Sequence, residues 1–240
     1  ENQHWNEHLC SLKIAVKMPE FEAGQFIRIG LPQLDDEQQM EARPYSFVNA
    51  PHEALLEVYF NRVPEGSLSH RLQVLQEGEA VYVADRAAGF MTVAEIPDGK
   101  TLWLLASGTA IGPFLSILKT DQPWPRFQHI VLVHGVHTAE DLTYNDLIAT
   151  LQQRYGDRLI KVNSITREEV AGSLHDRIPV AITNGELERL AGLDFNAASS
   201  RVMICGNPDM VADSIEALQA KGLRKHLRRE PGHILQEIYK

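Results

Sequence analysis

Short stretches of alternating apolar and polar residues dominate the first hundred positions of the chain. Four of them, each 7 to 9 residues long, are GQFIRIGL (24–31), RPYSFVNA (43–50), LLEVYFNRV (55–63) and EAVYVAD (79–85). Partial alternation between turn-forming residues is typical of β-strands, and the spacing predicts an antiparallel β-barrel. We expect the acidic run DDEQQME (35–41) to be a solvated loop and residues 68–76 to form the one short helix of this half.

The pattern changes after IPDGK (96–100). Continuously apolar strands now alternate with longer helical patterns: TLWLLA (101–106), HIVLVHGV (129–136), DLTYNDLIATLQQRY (141–155), RLIKVNSI (158–165), RVMIC (201–205) and DMVADSIEALQAKG (209–222). Such strands, separated by helices, indicate parallel βαβ units with both sheet faces covered. The sequence therefore predicts two domains: an antiparallel β-barrel over residues 1–97, and an α/β parallel-sheet nucleotide-binding domain over residues 98–240.

One uncharged run approaches the length of a membrane span. Residues 101–118, TLWLLASGTAIGPFLSIL, contain no charged side chain. Small and helix-breaking residues interrupt the middle of this run, and each half is too short to cross a bilayer alone. We therefore expect a buried strand, a turn and the start of a helix, with no integral membrane segment.

Composition and charge limit the class of protein. The chain has 240 residues and a net charge of -9, which argues against a general nucleic-acid binder, although a local basic face stays compatible with it. Cys10 and Cys205 are too few for a disulfide framework, so a reducing, cytoplasmic compartment is expected. They are also too few for a protein-held iron–sulfur cluster. No metal-ligand cluster is evident and no metal site is expected. The sequence contains no signal peptide, but because it does not start with Met, a removed one stays open.

The stretch RPYSFVNAP (43–51) places a guanidinium, a phenol and a hydroxyl within four residues. Side chains alternate along a strand, so Arg43 and Tyr45 would point to one side and Ser46 to the other. If all three contact one ligand, a bend or bulge is expected near Pro44. Taken alone, an ordinary strand with unusual side chains explains the stretch equally well.

The segment SGTAIGP (107–113) lies where an apolar strand ends and a helix is predicted to begin. Gly108 and Gly112 allow the backbone to approach a ligand closely, and the start of a helix offers free N–H groups to an anion. Pro113 suits the first helical turn. A plain strand–helix turn would look similar.

A second junction of this kind is CGNPDM (205–210), where Asn207 or Asp209 can cap the following helix. Ligands of open parallel sheets bind beyond the carboxyl ends of the strands, so the two turns predict one cleft. Cys205 is either a small buried strand-end residue or a wall of a reactive pocket.

Two arginines, Arg167 and Arg177, follow the strand at 158–165 and could reach the same edge of the sheet. A guanidinium suits a phosphate because its planar fork donates two hydrogen bonds at once. Ordinary surface arginines would show the same spacing.

Taken in order, these segments resemble the ferredoxin–NADP⁺ reductases, and most closely the bacterial ferredoxin/flavodoxin–NADP⁺ reductases. The segments are RPYS (43–46), GSLSHRL (66–72), AAGF (87–90), SGTAIGP (107–113), TRE with GSL and RIP (166–179), CGNPDM (205–210) and HLRREPGHILQEIY (226–239). The likeness runs from about residue 21 to the end. It implies FAD and NADP(H) as cofactors, and a C-terminal segment that returns to the flavin.

The resemblance also implies site residues. For FAD, Arg43 would pair with the pyrophosphate, Tyr45 would pack against the flavin and Ser46 would lie near its N5 atom. The other residues implied for FAD are Pro44, Phe60, the turn of Ser67, Leu68 and Ser69, Gly89, Thr109 and Tyr239. For NADP(H), they are His137, Arg167 and Arg177 at the 2′-phosphate, and Asn207 and Asp209 at the nicotinamide pocket. Ser46, Tyr45 and Cys205 would be the catalytic residues, because the family places them at the flavin and the nicotinamide.

Two positions depart from the family. His137 stands where close relatives carry a third phosphate-binding arginine, and a histidine is only partly charged near neutral pH, so strict preference for NADPH is in question. Lys240 stands where the nearest relatives end in an aromatic residue that stacks on the adenine, and Tyr239 could take that role instead.

The resemblance implies electron transfer between NADPH and a one-electron carrier protein, ferredoxin or flavodoxin, by hydride transfer to FAD. The basic run KGLRKHLRR (221–229) could steer such acidic carriers, and reversing Arg228 and Arg229 to Glu tests this idea; a solvated basic segment is the alternative. A monomer is expected, because the related reductases consist of a single subunit. The alternatives are a related flavin reductase or oxygenase reductase component, and a non-catalytic nucleotide sensor.

Overall fold

The structure, a computed structural model, describes residues 1–36, 38–63 and 68–239. Its strands are β1 Asn2–His4, β2 Leu9–Ile14, β3 Phe26–Pro32, β4 Met40–Ser46, β5 Leu56–Asn61, β6 Tyr82–Val83, β7 Thr101–Ser107, β8 His129–Val136, β9 Leu159–Ile165, β10 Ser200–Gly206 and β11 Ile234–Ile238. Its helices are α1 Leu68–Gln73, α2 Gly112–Leu118, α3 Asn145–Tyr155, α4 Ile178–Thr183, α5 Glu186–Ala191 and α6 Pro208–Ala220. We call the part that carries β1–β6 the antiparallel domain and the part that carries β7–β11 the parallel domain.

The antiparallel domain consists of two three-stranded sheets, ordered β1-β2-β5 and β4-β3-β6. Phe47 bridges to Val58, and the Val48 N–H donates to the Glu57 carbonyl at 2.8 Å, so the chain passes from one sheet to the other just after β4. Apolar side chains from both sheets, including Ile27 and Ile29, fill the space between them. The barrel-like antiparallel architecture predicted from the strand spacing is confirmed. The sequence pattern did not reveal β2 or the C-terminal strand β11.

The predicted bulge near Pro44 is wrong. The pairing of β3 with β4 runs without interruption from Phe26 opposite Ser46 to Pro32 opposite Met40. A proline fits this strand because β4 lies at the edge of its three-stranded sheet, where a missing N–H breaks no ladder on the outer side. The strand also begins three residues earlier than predicted, which shortens the acidic loop.

The parallel domain is a five-stranded sheet ordered β11-β10-β7-β8-β9, with every neighbouring pair parallel. One apolar cluster covers each face: Leu104, Phe114 and Leu132 belong to one, and Trp103 and Val133 belong to the other. The side chains of a strand point alternately to the two faces, which is why the central strands β7 and β8 are apolar along most of their length. The predicted α/β parallel sheet is confirmed.

The uncharged run at 101–118 forms β7, a tight turn and α2, as expected. Within the ranges that the structure describes, no helix is long and apolar enough to cross a membrane. The predicted helix at 68–76 ends at Gln73, and the one predicted at 141–155 begins only at Asn145, after a short 3₁₀ turn.

The two domains share a hydrophobic core. Its cluster includes Leu9, Val48 and Met91 of the antiparallel domain together with Ile111 and Leu115 of the parallel domain. Alternating side chains would expose one face of the antiparallel domain to solvent. In the structure, α2 and the residues before α3 cover that face.

Candidate functional site

The turns that follow β7 and β10 interlock at the carboxyl edge of the parallel sheet. The backbone N–H of Asn207 donates to Ser107 Oγ at 3.3 Å. A Cβ on Gly206 would lie 2.2 Å from that same oxygen, so the close approach requires glycine. Asn207 Oδ1 accepts from the Met210 N–H at 2.8 Å and caps α6, which makes Asn207 rather than Asp209 the capping residue. The structure thus brings the two predicted turns together.

Gly108 forms an open part of this edge. Its φ is +56°, and a Cβ built on it would meet nothing within 4 Å, so the turn borders open space. Behind it, His134 Nε2 lies 3.0 Å from the Gly108 carbonyl oxygen, which can only accept a hydrogen bond. Burial lowers the pKa of His134 to about 4, so the ring is neutral at pH 7 and donates through Nε2–H. His134 therefore holds the glycine turn in place, a role that sequence analysis missed.

Ser46 of β4 and Cys205 of β10 come from different domains and meet at Tyr239. The Tyr239 hydroxyl donates to Ser46 Oγ and also lies within hydrogen-bonding reach of the Cys205 thiol. The Tyr239 N–H donates to the Gly206 carbonyl at 2.8 Å, which extends the pairing of β11 with β10. Burial raises the pKa of the thiol and of the phenol, so both are neutral. Three residues expected from sequence thus share one cluster.

Glu237 completes this cluster, and sequence analysis did not find it. It lies opposite Cys205 in the parallel pairing of β10 with β11. Burial raises the pKa of its carboxyl to about 7. A Cβ on Gly89, whose φ is +107°, would lie 3.5 Å from Glu237 Oε2 and 3.0 Å from the Phe26 ring. The available signal was the spacing of Glu237 and Tyr239, which are two residues apart on a strand and so face the same side.

Tyr45 lies on the same strand as Ser46 but on its other face. Its ring is half-buried and meets the Phe60 ring edge-on, with centroids 5.7 Å apart. Burial, helped by the nearby Glu41 carboxylate, raises the pKa of the Tyr45 phenol to about 12. Tyr45 is therefore a neutral aromatic surface beside the antiparallel sheet.

Arg43 projects from β4 into solvent, with 68% of its side chain exposed. Its Nη2 lies 3.8 Å from Glu41 Oε1, and Arg71 Nη1 lies 3.7 Å from Glu41 Oε2. Arg71 is held further by a hydrogen bond from Nη2 to the Pro32 carbonyl at 2.6 Å. Two cations thus surround one carboxylate at this end of the site, and Arg71 was not anticipated.

The remaining residues expected at the flavin lie in both domains. Leu68 and Ser69 begin α1 and are buried, and Ser69 Oγ accepts from the Val63 N–H at 3.1 Å. Thr109 is buried in the turn after β7, and Pro44 is exposed on β4. Ser67, the first residue of the expected turn, lies outside the described residues, as does Lys240.

His137 and Arg167 meet beyond the ends of β8 and β9. The Arg167 N–H donates to the His137 carbonyl at 2.9 Å, and His137 Nδ1 lies 3.4 Å from Thr166 Oγ1. Arg177 follows Asp176, whose carbonyl accepts from Ser164 Oγ of β9 at 2.8 Å. Arg167 and Arg177 are both exposed, and in the described part of the chain neither pairs with a carboxylate. They are the cations at this edge that are available to a bound anion.

The basic run at 221–229 is partly neutralised within the protein. Arg228 pairs with Glu95 at 3.2 Å and stacks on the Phe90 ring at 3.8 Å. Arg224 pairs with Glu230 at 2.7 Å, and Lys221 pairs with a glutamate of α5. Lys225 and Arg229 remain without a carboxylate partner among residues 1–36, 38–63 and 68–239. A basic surface for a partner therefore rests on these two.

Known proteins match nearly the whole chain. A family model described as "Oxidoreductase NAD-binding domain" matches residues 104–215. A flavodoxin/ferredoxin–NADP reductase of Shigella flexneri is 46% identical over 238 residues, which cover 99% of this chain and 95% of the relative. A ferredoxin–NADP reductase of Azotobacter vinelandii is 34% identical over 247 residues, covering 98% and 93%. A ferredoxin NADP⁺ reductase of Neisseria gonorrhoeae, solved with bound FAD and NADP, superimposes with a TM-score of 0.92 at 32% identity, covering 99% and 95%.

Proposed function

The chain belongs to the flavodoxin/ferredoxin–NADP reductase family, and from this premise we propose that it is a flavoenzyme that transfers electrons between NADPH and a one-electron carrier protein. The observation that carries this function is the meeting of Ser46, Cys205, Glu237 and Tyr239 at the domain boundary. Two domains that contribute to one buried cluster suit a reaction between a cofactor held by one domain and a coenzyme held by the other.

The side chains and backbone at the antiparallel domain are chemically suited to bind FAD. Arg43 and Arg71 would hold the diphosphate, because they are the cations gathered at that end around Glu41. Tyr45 would pack against the flavin, with Pro44, Phe60, Leu68, Ser69 and Thr109 along its length. Gly89, whose φ of +107° favours glycine, would allow the backbone to approach it. When bound, FAD supplies the chemistry that links a hydride donor to a carrier of single electrons.

NADP(H) would occupy the carboxyl edge of the parallel sheet. Arg167, Arg177 and His137 would bind the 2′-phosphate, and the absence of carboxylate partners for the two arginines in the described ranges supports this assignment. The open backbone at Gly108, held by His134, would let the coenzyme lie across the turn. Asn207 and Asp209 would border the nicotinamide.

The buried cluster would position the reacting groups and hold a proton. Ser46 and Cys205 approach the same point from the two domains, which excludes water from it. Near neutral pH the Glu237 carboxyl exchanges a proton readily because its pKa is about 7. Tyr239 fills the space between Ser46 and Cys205, so we assign it to the redox end of the flavin rather than to the adenine.

We extend the proposal to the carrier and the setting. Ferredoxin or flavodoxin would be the carrier, and these acidic proteins would dock where Lys225 and Arg229 are exposed. The domain boundary would lie between residues 97 and 98, in the loop before β7. We expect a cytoplasmic monomer that does not bind nucleic acid.

Stopped-flow reduction of the purified protein by NADPH and by NADH tests the function. We expect a yellow protein whose flavin absorbance is bleached by NADPH, and which then reduces an artificial acceptor. A colourless protein that reduces no acceptor after FAD is added would overturn the function. Equal rates and affinities for NADH would overturn the assignment of Arg167 and Arg177 alone.

A further inference from the structure

Two polar side chains of β5 face the parallel domain although they are buried. Side chains alternate along β5, so Val58 and Phe60 enter the core of the antiparallel domain while Glu57 and Tyr59 point the other way. Glu57 is 8% exposed and Tyr59 is 5% exposed. Burying a carboxyl group is unfavourable unless it is hydrogen-bonded, so these residues need partners from across the domain boundary.

Two consecutive residues before α3 supply those partners. The Tyr144 hydroxyl donates to Glu57 Oε1 at 2.8 Å, and Thr143 Oγ1 donates to the Tyr59 hydroxyl at 2.9 Å. The Tyr144 ring also meets the Tyr59 ring edge-on at 5.2 Å and lies 4.6 Å from the Trp5 ring. We call Glu57, Tyr59, Thr143 and Tyr144 the polar latch.

The backbone of Tyr144 is strained in a way that serves the latch. With φ 56° and ψ 24°, it is the one non-glycine residue with positive φ in the part of the chain that the structure describes. This left-handed conformation is disfavoured for residues with a Cβ, and it recurs where the surrounding structure demands a particular side-chain direction. Here it occupies the N-cap position of α3, and the Tyr144 hydroxyl reaches Glu57.

The latch reinforces an interface whose core is apolar and which other polar contacts also cross: Ser116 Oγ donates to the Asn49 carbonyl at 2.7 Å, and Lys119 pairs with Glu53 at 2.9 Å. Apolar contacts are not directional, whereas hydrogen bonds between buried groups require a defined geometry. We call the cluster of Ser46, Cys205, Glu237 and Tyr239 the redox cluster. It depends on how the two domains are oriented, because Ser46 belongs to one domain and its other three members belong to the other. A change of about 1 Å in the approach of two reactants can cost about a hundredfold in rate.

We propose that Tyr144 is a positioning residue which, through its hydrogen bond to Glu57, fixes the orientation of the two domains for hydride transfer. This inference rests on the proposed function, since it concerns the transfer from NADPH to the flavin. Tyr144 contacts neither Ser46 nor Cys205, so its effect is on their relative placement.

Tyr144→Phe tests the inference, with Tyr155→Phe as the matched control. Both variants remove one phenolic oxygen, but the Tyr155 hydroxyl is buried and has no hydrogen-bond partner among the described residues. The rate of flavin reduction at saturating NADPH is measured by stopped flow in the holoenzyme, together with NADP⁺ affinity and amide hydrogen exchange at residues 56–60 and 141–148. Thr143→Val, which removes the other hydrogen bond, is a second variant in case Tyr144→Phe does not fold.

We expect Tyr144→Phe to slow flavin reduction about tenfold with NADP⁺ affinity changed less than about twofold, and to speed exchange at both segments. Thr143→Val should slow it about threefold, whereas Glu57→Gln alone, which keeps an oxygen that accepts from Tyr144, should retain most of the wild-type rate. A rate in Tyr144→Phe equal to that of Tyr155→Phe, even with lower thermal stability, would overturn the inference. So would a loss confined to coenzyme affinity. A wild-type protein that NADPH does not reduce would overturn the proposed function itself.

Discussion

Replacing Glu237 with glutamine should stabilise the protein at alkaline pH, because the amide lacks the charge that burial penalises. Glu237 lies on β11 beside the buried Cys205, and the described residues offer its carboxyl no cation to balance a negative charge. Burial is accordingly the cause of its raised pKa.

The magnitude follows from the pKa. Folding raises the pKa of the carboxyl from an ordinary 4.5 to about 7, and each pKa unit corresponds to about 1.4 kcal/mol. Ionised Glu237 therefore costs the folded state about 3–4 kcal/mol. The folded state binds the proton more tightly, so the free energy of unfolding is highest below pH 4.5. It falls as pH rises from 4.5 to 7, and this contribution is constant above that.

Thermal unfolding of the holoenzyme at pH 5 and pH 8.5 measures this contribution. We expect Glu237→Gln to have nearly the wild-type Tm at pH 5 and a Tm about 8 °C higher at pH 8.5, since 1 kcal/mol shifts the Tm of a chain this long by about 2–4 °C. Glu20→Gln, at an exposed glutamate, is the control and should show no such pH dependence. A difference between Glu237→Gln and wild type that is the same at both pH values would refute the assignment of a proton to this carboxyl.

Three further substitutions test other parts of the site. Arg167→Ala should weaken NADPH binding about tenfold, the worth of one charge-assisted hydrogen bond, and leave NADH binding unchanged; equal losses for both coenzymes would contradict a phosphate contact. Glu41→Gln should slow FAD release from the holoenzyme up to about fivefold, because it frees Arg43 from an exposed ion pair; faster release would show instead that Glu41 orients Arg43. Arg229→Glu should slow carrier reduction at low salt and spare dye reduction, whereas Arg228→Glu should also lower the Tm; carrier kinetics unaffected by Arg229→Glu would refute docking there.

Local sequence patterns predicted the strands and turns whose conformation is determined by their own residues. The four parallel strands β7 to β10 were found because both faces of the sheet are covered, so each of them is rich in apolar residues. The turn at 107–113 was found because glycines and a proline follow a strand directly. Family resemblance then selected Ser46 and Cys205 from many residues with the same chemistry.

Local patterns failed where a residue's role comes from a distant partner. Glu237 has an ordinary place in a charged, alternating strand, and only its pairing beside Cys205 buries it. The left-handed Tyr144 lies within a helical pattern, and the demand for its conformation comes from Glu57, 87 residues earlier. The bulge expected near Pro44 rested on the assumption that Arg43, Tyr45 and Ser46 contact one ligand, whereas β4 pairs without interruption with β3 as an edge strand, where proline is tolerated.

The C-terminal strand connects stability to chemistry in this protein. β11 is the edge strand of the parallel sheet, pairing along its length with β10 and bridging to Lys225 only at Ile234 within the described structure, yet it carries Glu237 and leads into Tyr239. The turn before it is fastened to the antiparallel domain by Arg228, which stacks on Phe90 and pairs with Glu95. Phe90 follows Gly89, whose backbone lies against Glu237. Fraying of β11 would therefore remove two members of the redox cluster at once, so local opening of this strand should reduce activity before the rest of the fold is lost.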